Sequence, residues 1–423
     1  MDKFIIQGGK NLHGTVRISG AKNASLALMP ATILAGGVHR LHNTPRLRDV
    51  LTMMSLMESM GLGFAFKDGT LTVDSSTVNN FEAPYEHVKK MRASVYVLGP
   101  LVSRFGFAKV SLPGGCAWGP RPVNLHIEGL KKLGADIQLE GGYIVAKAHK
   151  LKGARILFDI SSVGATGNIL MAATLAQGTT IIENAAMEPE ITSLAQFLVK
   201  MGAKIDGIGT SRIEVEGVSA LHPAEITTIP DRIEAGTMLV AAAIAGKPGS
   251  KIRVEQCDPR HFGAVTAKLE DAGATLTLGK DFVEIIPPDE IKPVNVTTAI
   301  YSGFPTDMQA QWISLMSLAA GTSVVTDTIY FDRFTHVPEL QRLGADITLK
   351  ENIATVIGRP KLTGAKVMST DLRASASLIL AGLAAEGTTE VLRVYHIDRG
   401  YEQVEKKLQG LGANIERVAG EEF

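Results

Sequence analysis

The stretch LAQFLVKMGAKI, Leu194 to Ile205, contains an apolar helical pattern, a glycine and the beginning of a strand. Its last five residues belong to a phrase that occurs six times, in which glycine follows a small or apolar residue and precedes a β-forming run. The copies are MGLGF from Met60, LGADI from Leu133, MGAKI from Met201, AGATL from Ala272, LGADI from Leu343 and LGANI from Leu411. Successive copies begin 68 to 73 residues apart, which indicates an internal repeat.

A second series of glycines has the same period and stays in phase with the first. Its members are Gly37, Gly106, Gly178, Gly249, Gly321 and Gly387. A helical stretch precedes each one and a β-branched run follows, as in GTTIIENAA from Gly178. Because glycine commonly closes a helix, each repeat is predicted to be a β-α-β-α-β-β unit, and the fold class to be α/β.

The repeats also predict the domains. A length of 423 residues suggests two or three domains, and six repeats favour two domains of three repeats each. The stretch LHPAEITTIPDR, Leu221 to Arg232, has two prolines and is interpreted as a linker. The first strand pair, Phe4 to Ser19, has no partner in its own half. We therefore expect a discontinuous domain of residues 1–20 plus 230–423 and a second domain of residues 21–229.

Composition excludes several classes of protein. The 43 Lys+Arg balance the 43 Asp+Glu, so a broad basic surface for nucleic acid is not expected. The two cysteines, Cys116 and Cys257, cannot form a disulfide framework, which favours a reducing compartment and a cytoplasmic location. The longest apolar run, Met238 to Ala245, is too short to span a bilayer, and MDKFIIQGGK is not a secretory signal.

Six predicted helix starts lie in register, 14 residues before the second-series glycines. They are at Asn23, Arg92, Gly164, Ala235, Asp307 and Arg373. Capping explains the Ser, Thr and Asp residues there, and simple surface helices are one interpretation. Capping does not explain four cations, because positive charge is disfavoured at helix N-termini. These cations are Lys22, Arg92, Arg232 and Arg373. We therefore favour a cleft that binds a small phosphorylated or carboxylated substrate, with Asp307 as the carboxylate in register.

The segment SLPGGCAWGPRPVNLH, Ser111 to His126, interrupts the pattern. Its density of glycine and proline predicts a loop, and a loop that carries a cysteine and an arginine is a candidate lid. Backbone amides and Arg121 near Cys116 would favour the reactive thiolate. The alternative is an inert thiol, which is the role expected of Cys257.

No cofactor or metal is expected. His126, His336 and His396 have no zinc-type spacing, so each is interpreted as a structural histidine. The sequence has no phosphate-binding P-loop and no Gly-x-Gly-x-x-Gly fingerprint between a strand and a helix, which disfavours ATP and NAD.

At these residues the sequence resembles the enolpyruvyl transferase family from end to end. The shared motifs are AKN (Ala21–Asn23), PGGC (Pro113–Cys116), RPV (Arg121–Val123), SVGAT (Ser162–Thr166), EPEI (Glu188–Ile191), PDRIE (Pro230–Glu234), FPTDMQAQ (Phe304–Gln311), RF.HVPEL (Arg333–Leu340), DLRA (Asp371–Ala374) and HIDRGYE (His396–Glu402). The resemblance implies a two-domain inside-out α/β barrel with substrates bound between the domains. It also implies transfer of the enolpyruvyl group of phosphoenolpyruvate to the 3'-hydroxyl of UDP-N-acetylglucosamine, the first committed step of bacterial peptidoglycan synthesis.

The resemblance implies a role for each matching residue. Cys116 would be the general acid and Asp307 the base, while Lys22, Arg121 and Arg399 would bind the anionic groups of phosphoenolpyruvate. Other residues of the site would be Asn23, Arg92, Arg333, Asp371 and Arg373. The nucleotide sugar would contact Arg121, Pro122, Val123, Asn124, Leu125, Ser162, Val163, Gly164, Asp307 and Ile329. Addition and elimination on these groups require no metal, since arginines and lysine supply the positive charge.

Two departures and three alternatives accompany the resemblance. Many members have Asp at the position of Asn124, where asparagine keeps an acceptor and adds donors but loses the charge. Some have Lys where this chain has Ile160 and Ser161, so a cationic contact to the diphosphate would be missing here or supplied elsewhere. A 3-phosphoshikimate 1-carboxyvinyltransferase should lack the lid cysteine. A non-catalytic nucleotide-sugar-binding paralogue should have lost an essential side chain. An RNA 3'-phosphate cyclase would need a nucleotidylation histidine motif, which is absent.

Overall fold

The computed structural model describes residues 2–89, 91–112 and 123–419. The glycines of both series adopt a positive φ, between 72° and 156°. L side chains rarely adopt this conformation, and it ends a helix and redirects the chain into a strand. A Cβ atom on Gly134 or Gly344 would have no neighbour within 4 Å. The backbone conformation, and not a lack of space, therefore requires glycine at these two positions.

The strands are numbered in chain order. They are β1 Asp2–Gln7, β2 Gly14–Arg17, β3 Val38–His42, β4 Gly63–Lys67, β5 Thr70–Asp74, β6 Glu82–Ala83, β7 Phe107–Ser111, β8 Asp136–Glu140, β9 Tyr143–Lys147, β10 Arg155–Leu157, β11 Thr179–Glu183, β12 Lys204–Asp206, β13 Arg212–Glu216, β14 Glu225–Thr227, β15 Ile252–Glu255, β16 Thr275–Leu278, β17 Phe282–Ile286, β18 Val296–Thr297, β19 Thr322–Thr326, β20 Asp346–Lys350, β21 Ile353–Ile357, β22 Lys366–Met368, β23 Thr388–Leu392 and β24 Asn414–Ala419.

The helices alternate with these strands. They are α1 Lys22–Ala31, α2 Arg48–Glu58, α3 Tyr85–Val88, α4 Leu98–Phe105, α5 Asn124–Lys132, α6 Val163–Ala173, α7 Pro189–Lys200, α8 Arg232–Ala245, α9 Gly263–Asp271, α10 Gln309–Met316, α11 Val337–Arg342, α12 Leu372–Ala384 and α13 Val404–Gly410. Short 3₁₀ helices cover Thr32–Leu34, Arg92–Val97, Pro259–His261, Thr306–Met308 and Val394–Arg399.

The chain divides into two compact units. Unit 1 comprises the chain up to Ser19 and from Pro230 onwards, and unit 2 is Gly20–Ile229. The sequence analysis placed residue 20 with the first of these, whereas the structure places it with the second. Gly20 lies so close to the backbone of Asn43 that a Cβ atom would be 1.8 Å from the Asn43 oxygen, which accounts for its place in unit 2.

Unit 1 contains three four-stranded sheets, in the orders β22-β23-β1-β24, β16-β17-β15-β2 and β18-β19-β21-β20. β1 pairs antiparallel with both β23 and β24, and β2 pairs parallel with β15. The N-terminal strands therefore complete sheets of the C-terminal half. The helices α8, α10 and α12 are buried along nearly their whole length, and each also buries polar side chains, such as Gln311 in α10.

Unit 2 repeats this arrangement in the sheets β14-β3-β5-β4, β6-β7-β9-β8 and β10-β11-β13-β12. Here the linker interpretation of the sequence was partly wrong. Residues 225–227 form β14, which pairs parallel with β3 at the edge of its sheet. Pro223 and Pro230 flank the strand without interrupting it, because an edge strand tolerates nearby proline. Within the described part of the chain, no helix has the length and apolar character needed to cross a membrane.

Candidate active site

The helix starts of unit 1 lie where the sequence predicted them. Arg373 is in the first turn of α12, Ala235 is in the first turn of α8, and Asp307 lies in the 3₁₀ helix directly before α10. Asp371 caps α12: its Oδ1 accepts from the Arg373 N–H at 2.7 Å and the Ala374 N–H at 3.3 Å. Asp371 was predicted to belong to the substrate site. The cap gives its carboxylate a structural role in addition to any contact with substrate.

The carboxylate of Asp307 lies between two guanidinium groups. Its Oδ1 is 2.7 Å from Arg333 Nη1, and its Oδ2 accepts from Arg373 Nη2 at 2.9 Å. The Asp307 side chain is 26% exposed, whereas that of Arg373 is 4% exposed and stands over the ring of Tyr401. The partly exposed carboxylate of Asp307 is thus paired with a buried cation.

Both arginines carry a charge that their burial would disfavour. Burial acts to lower the pKa of Arg333, but the neighbouring Asp307 and Asp371 carboxylates outweigh it, so that the pKa is raised. The pKa of Arg373 is likewise raised, since Asp307 and other acceptors exceed the effect of burial. Two fixed positive charges therefore flank one carboxylate.

The backbone around Asp307 is held by a buried amide. Nε2 of Gln311 donates to the Asp307 carbonyl oxygen at 2.9 Å and to Thr237 Oγ1 at 3.1 Å. The hydroxyl groups of Thr237 and Tyr401 are 2.8 Å apart. This network of hydrogen bonds joins α8, α10 and the segment after Val394–Arg399. It holds the backbone of Asp307 in place at the start of α10.

A buried carboxylate, that of Asp327, follows β19. It accepts hydrogen bonds from the hydroxyl group of Thr306 and from the N–H groups of Ile329 and Tyr330. Arg333 Nη1 in turn donates to Thr306 Oγ1 at 3.1 Å. The sequence analysis did not identify Asp327 or Thr306. A signal in the sequence was the polar pair Asp327 and Thr328 directly after the β-branched strand β19.

The predicted helix starts of unit 2 are also confirmed. Asn23 and Gly164 are in the first turns of α1 and α6, while Arg92 begins a 3₁₀ helix that precedes α4. Ser162 caps α6, since its hydroxyl oxygen accepts from the Ala165 N–H at 3.2 Å. Lys22 Nζ lies 3.5 Å from a carboxylate oxygen of Asp49, a buried residue in the first turn of α2.

Asn168 joins three segments of unit 2. Its Nδ2 donates to the Val95 carbonyl at 2.8 Å and lies 3.0 Å from Nδ1 of His126, and its Oδ1 accepts from the Gly99 N–H at 2.6 Å. A Cβ on Gly164 would lie 3.1 Å from the His126 ring. The start of α5, with Asn124 and Leu125, and the start of α6, with Ser162 to Gly164, are therefore neighbours. Asn168 was another residue that the sequence analysis missed.

His126 in unit 2 and His336 in unit 1 are buried and neutral. Burial lowers the pKa of His126 to about 4, and burial together with Arg333 lowers that of His336 to about 3. These values agree with the structural role that the sequence predicted for both. The described chain contains no group of three or more His, Cys, Asp or Glu residues that could hold a metal ion.

Three of the predicted site residues lie outside the described residues. They are Cys116, Arg121 and Pro122. Val123 and Asn124 lead into α5, Ile329 follows Asp327, and Arg399 ends the 3₁₀ helix Val394–Arg399. Cys257 is buried, and its burial raises its pKa to about 12, as expected for an inert thiol.

The repeated α/β fold thus carries a carboxylate held by two arginines at a helix start of unit 1. Residues 6–408 match the family model described as EPSP synthase (3-phosphoshikimate 1-carboxyvinyltransferase). This match covers most of the chain, and the chain belongs to this family of enolpyruvyl transferases.

Individual relatives and a solved structure are similar to nearly the whole of this chain. The chain is 58% identical to UDP-N-acetylglucosamine 1-carboxyvinyltransferase of Chloroherpeton thalassium over 426 aligned positions, covering 100% of this chain and 99% of that protein. It is 56% identical to the protein of the same name from Geotalea uraniireducens, covering 99% and 100% of the two chains. The enolpyruvyl transferase NikO from Streptomyces tendae has a TM-score of 0.89 at 27% identity, with 99% of both chains covered.

EPSP synthase from Acinetobacter baumannii has a TM-score of 0.76 at 20% identity over 99% of this chain and 100% of that chain. At this identity the likeness concerns the fold alone. The mixed α/β fold is thus shared with enolpyruvyl transferases.

Proposed function

We propose that this chain transfers the enolpyruvyl group of phosphoenolpyruvate to the 3'-hydroxyl of UDP-N-acetylglucosamine and releases phosphate. This is the first committed step of peptidoglycan synthesis. The observation that carries the proposal is the Asp307 carboxylate held between Arg333 and Arg373 at the start of a buried helix. The full-length relatives that bear this activity in their names support it.

Asp307 is proposed as the base that takes the proton of the 3'-hydroxyl. Each of its oxygens faces one guanidinium group, and a carboxylate oxygen can accept more than one hydrogen bond. The two arginines fix the carboxylate in one orientation, which reduces the reorganisation needed at the moment of reaction.

The reaction is an addition followed by an elimination. The 3'-oxygen forms a bond to C2 of phosphoenolpyruvate while Cys116 gives a proton to C3, which produces a tetrahedral phosphate-bearing intermediate. C3 then gives a proton to the thiolate that the first step leaves at Cys116, the C2–O bond breaks with its electron pair leaving on phosphate, and the carbon–carbon double bond re-forms. Lys22, Arg121 and Arg399 are proposed to hold the phosphate and carboxylate groups throughout.

The nucleotide sugar is proposed to bind along residues 121–125 and 162–164 together with Ile329. The Ser162 hydroxyl oxygen accepts a hydrogen bond in capping α6, so its own hydrogen is available to a diphosphate together with the N–H groups of Val163 and Gly164 at the helix start. Asn124 would offer an uncharged amide to the nucleotide. Ile160, which is exposed three residues before the start of α6, would offer no charge to the nucleotide sugar.

The proposed architecture, location and lack of a cofactor follow from the resemblance to the enolpyruvyl transferase family. The protein would be a two-domain inside-out α/β barrel in the cytoplasm. Three four-stranded sheets in each unit support this architecture. Neither a cofactor nor a metal is needed, because Lys22, Arg121 and Arg399 supply the positive charge in this chemistry.

Product analysis tests the proposed function. The enzyme is incubated with phosphoenolpyruvate and UDP-N-acetylglucosamine, and the nucleotide sugar is examined by mass spectrometry. We expect a product enlarged by one enolpyruvyl group, with phosphate released in equal amount. Asp307→Asn should bind the nucleotide sugar but form product at least about a hundredfold more slowly. A wild-type protein that binds the nucleotide sugar without turnover would instead favour a non-catalytic paralogue.

A further inference from the structure

Asp327 connects two segments that flank the candidate base. Its Oδ2 accepts from the hydroxyl of Thr306 at 2.7 Å, on the 3₁₀ helix that carries Asp307. Its Oδ1 accepts from the N–H groups of Ile329 at 3.0 Å and Tyr330 at 2.9 Å, on the loop after β19. The residue has no solvent exposure. A buried carboxylate that accepts this many hydrogen bonds is held in a single position.

Thr306 transmits this position to Arg333. Because the Thr306 hydroxyl donates its only hydrogen to Asp327, its oxygen must act as an acceptor toward any further partner. That partner is Arg333 Nη1, at 3.1 Å, and the same nitrogen lies 2.7 Å from Asp307 Oδ1. The order of contacts is therefore Asp327 to Thr306, Thr306 to Arg333, and Arg333 to Asp307.

We propose that Asp327 is a positioning residue of the reaction: through Thr306 it orients Arg333 against Asp307, and through its other oxygen it fixes the loop that carries Ile329. This inference rests on the proposed function. It assigns two separable tasks to one carboxylate. The Thr306 side serves the chemical step, and the loop side serves binding of the nucleotide sugar.

A change of Asp327 to asparagine should disturb one side or the other. If the new NH₂ group faces Thr306, the threonine hydrogen is turned toward Arg333, where two donors would meet. If it faces the loop, it meets the N–H groups of Ile329 and Tyr330. An amide supplies one acceptor where the carboxylate supplied two, so both sets of contacts cannot persist.

The test separates the two sides. Thr306→Val removes the hydroxyl with little change of volume, and it is compared with Thr306→Ser, which keeps the hydroxyl. A matched control is Thr266→Val in α9, where a threonine hydroxyl donates to the Gly263 carbonyl at 3.0 Å. Thr306→Val should lower kcat about tenfold or more while the Kd of the nucleotide sugar changes little, since a hydrogen bond to a charged group is lost.

Thr306→Ser should restore kcat to within about threefold, and Thr266→Val should leave it within about twofold. Asp327→Asn should lower kcat and also weaken nucleotide-sugar binding about tenfold. A Thr306→Val protein with wild-type kcat, or an equal loss in Thr266→Val, would overturn the proposal.

A crystal structure of Thr306→Val gives a second result that does not depend on activity. We expect the Arg333 guanidinium to leave its place beside Asp307 Oδ1. An unchanged ion pair would contradict the positioning role even if the enzyme were inactive. If the wild-type protein did not transfer the enolpyruvyl group, only the proposed function would be contradicted. The position of Arg333 in the Thr306→Val structure would still decide whether Asp327 has a positioning role.

Discussion

The guanidinium of Arg373 donates to Oδ2 of Asp307 at 2.9 Å from the first turn of α12. A cation is disfavoured at a helix N-terminus, and this ion pair supplies the compensation. The relationship joins the starts of two buried helices of unit 1. It explains why a basic residue and an acidic residue stand at equivalent positions of two repeats.

Replacement of Arg373 should therefore harm both stability and turnover. Arg373→Gln leaves Asp307 Oδ2 without its buried partner, and we expect the free energy of unfolding to fall by about 3 kcal/mol or more. Urea denaturation measures this loss. Arg155→Ala is the control, because the Arg155–Glu183 pair is exposed and should contribute little. Equal effects of the two substitutions would contradict the buried role of Arg373.

The two cysteines should differ in reactivity. An electrophilic epoxide that resembles phosphoenolpyruvate should label Cys116 and spare Cys257, because burial raises the pKa of Cys257 to about 12 and leaves little thiolate at neutral pH. Peptide mass spectrometry locates the label. Cys257→Ser should be labelled like the wild type, and Cys116→Ser should remain unlabelled and inactive. Full activity of Cys116→Ser would refute its role as the acid.

The buried His126 should make stability depend on pH. Burial lowers its pKa from 6.5 to about 4, so the unfolded chain binds the proton more readily between these values. Stability therefore falls as the pH decreases through this interval, by about 3 kcal/mol from this residue.

The comparison is the slope of unfolding free energy against pH between 6.5 and 4. His126→Gln should reduce this slope, whereas His149→Gln, at an exposed position, should leave it unchanged. An identical slope in His126→Gln and the wild type would show that His126 is not responsible.

The glycine series can be tested at one repeat. Gly344 has a φ of +91° and open space around the position of a Cβ, so Gly344→Ala should cost about 1 kcal/mol through backbone strain alone. Gly263 also has open space but no positive φ, and Gly263→Ala should be neutral or slightly stabilising. Thermal or urea denaturation compares the two. A neutral Gly344→Ala would contradict the conformational explanation.

The sequence predicted the repeated fold because its glycines have a local cause, a left-handed residue after a helix. It also predicted that Asn23, Gly164 and Arg373 lie at helix starts. It failed at β14, because a three-residue edge strand between prolines has too few residues to show a pattern. The partner of β14 is β3, far away in the chain.

The contacts within the candidate site were less predictable. Besides the N–H groups of the adjacent Ile329 and Tyr330, Asp327 accepts from the hydroxyl groups of Thr298 and Thr306, which are 29 and 21 residues away. Neither period nor composition specifies such distant pairs. The capping expected of Ser and Asp at the helix starts, by contrast, is local, and Ser162 and Asp371 provide it.

The most direct measurement is phosphate release from phosphoenolpyruvate with two alternative acceptors. The enzyme is supplied in parallel with UDP-N-acetylglucosamine and with shikimate 3-phosphate, and Asp307→Asn serves as the inactive control. The account predicts rapid release with UDP-N-acetylglucosamine and none above background with shikimate 3-phosphate. Release that depends on shikimate 3-phosphate, or no release with either acceptor, would contradict it.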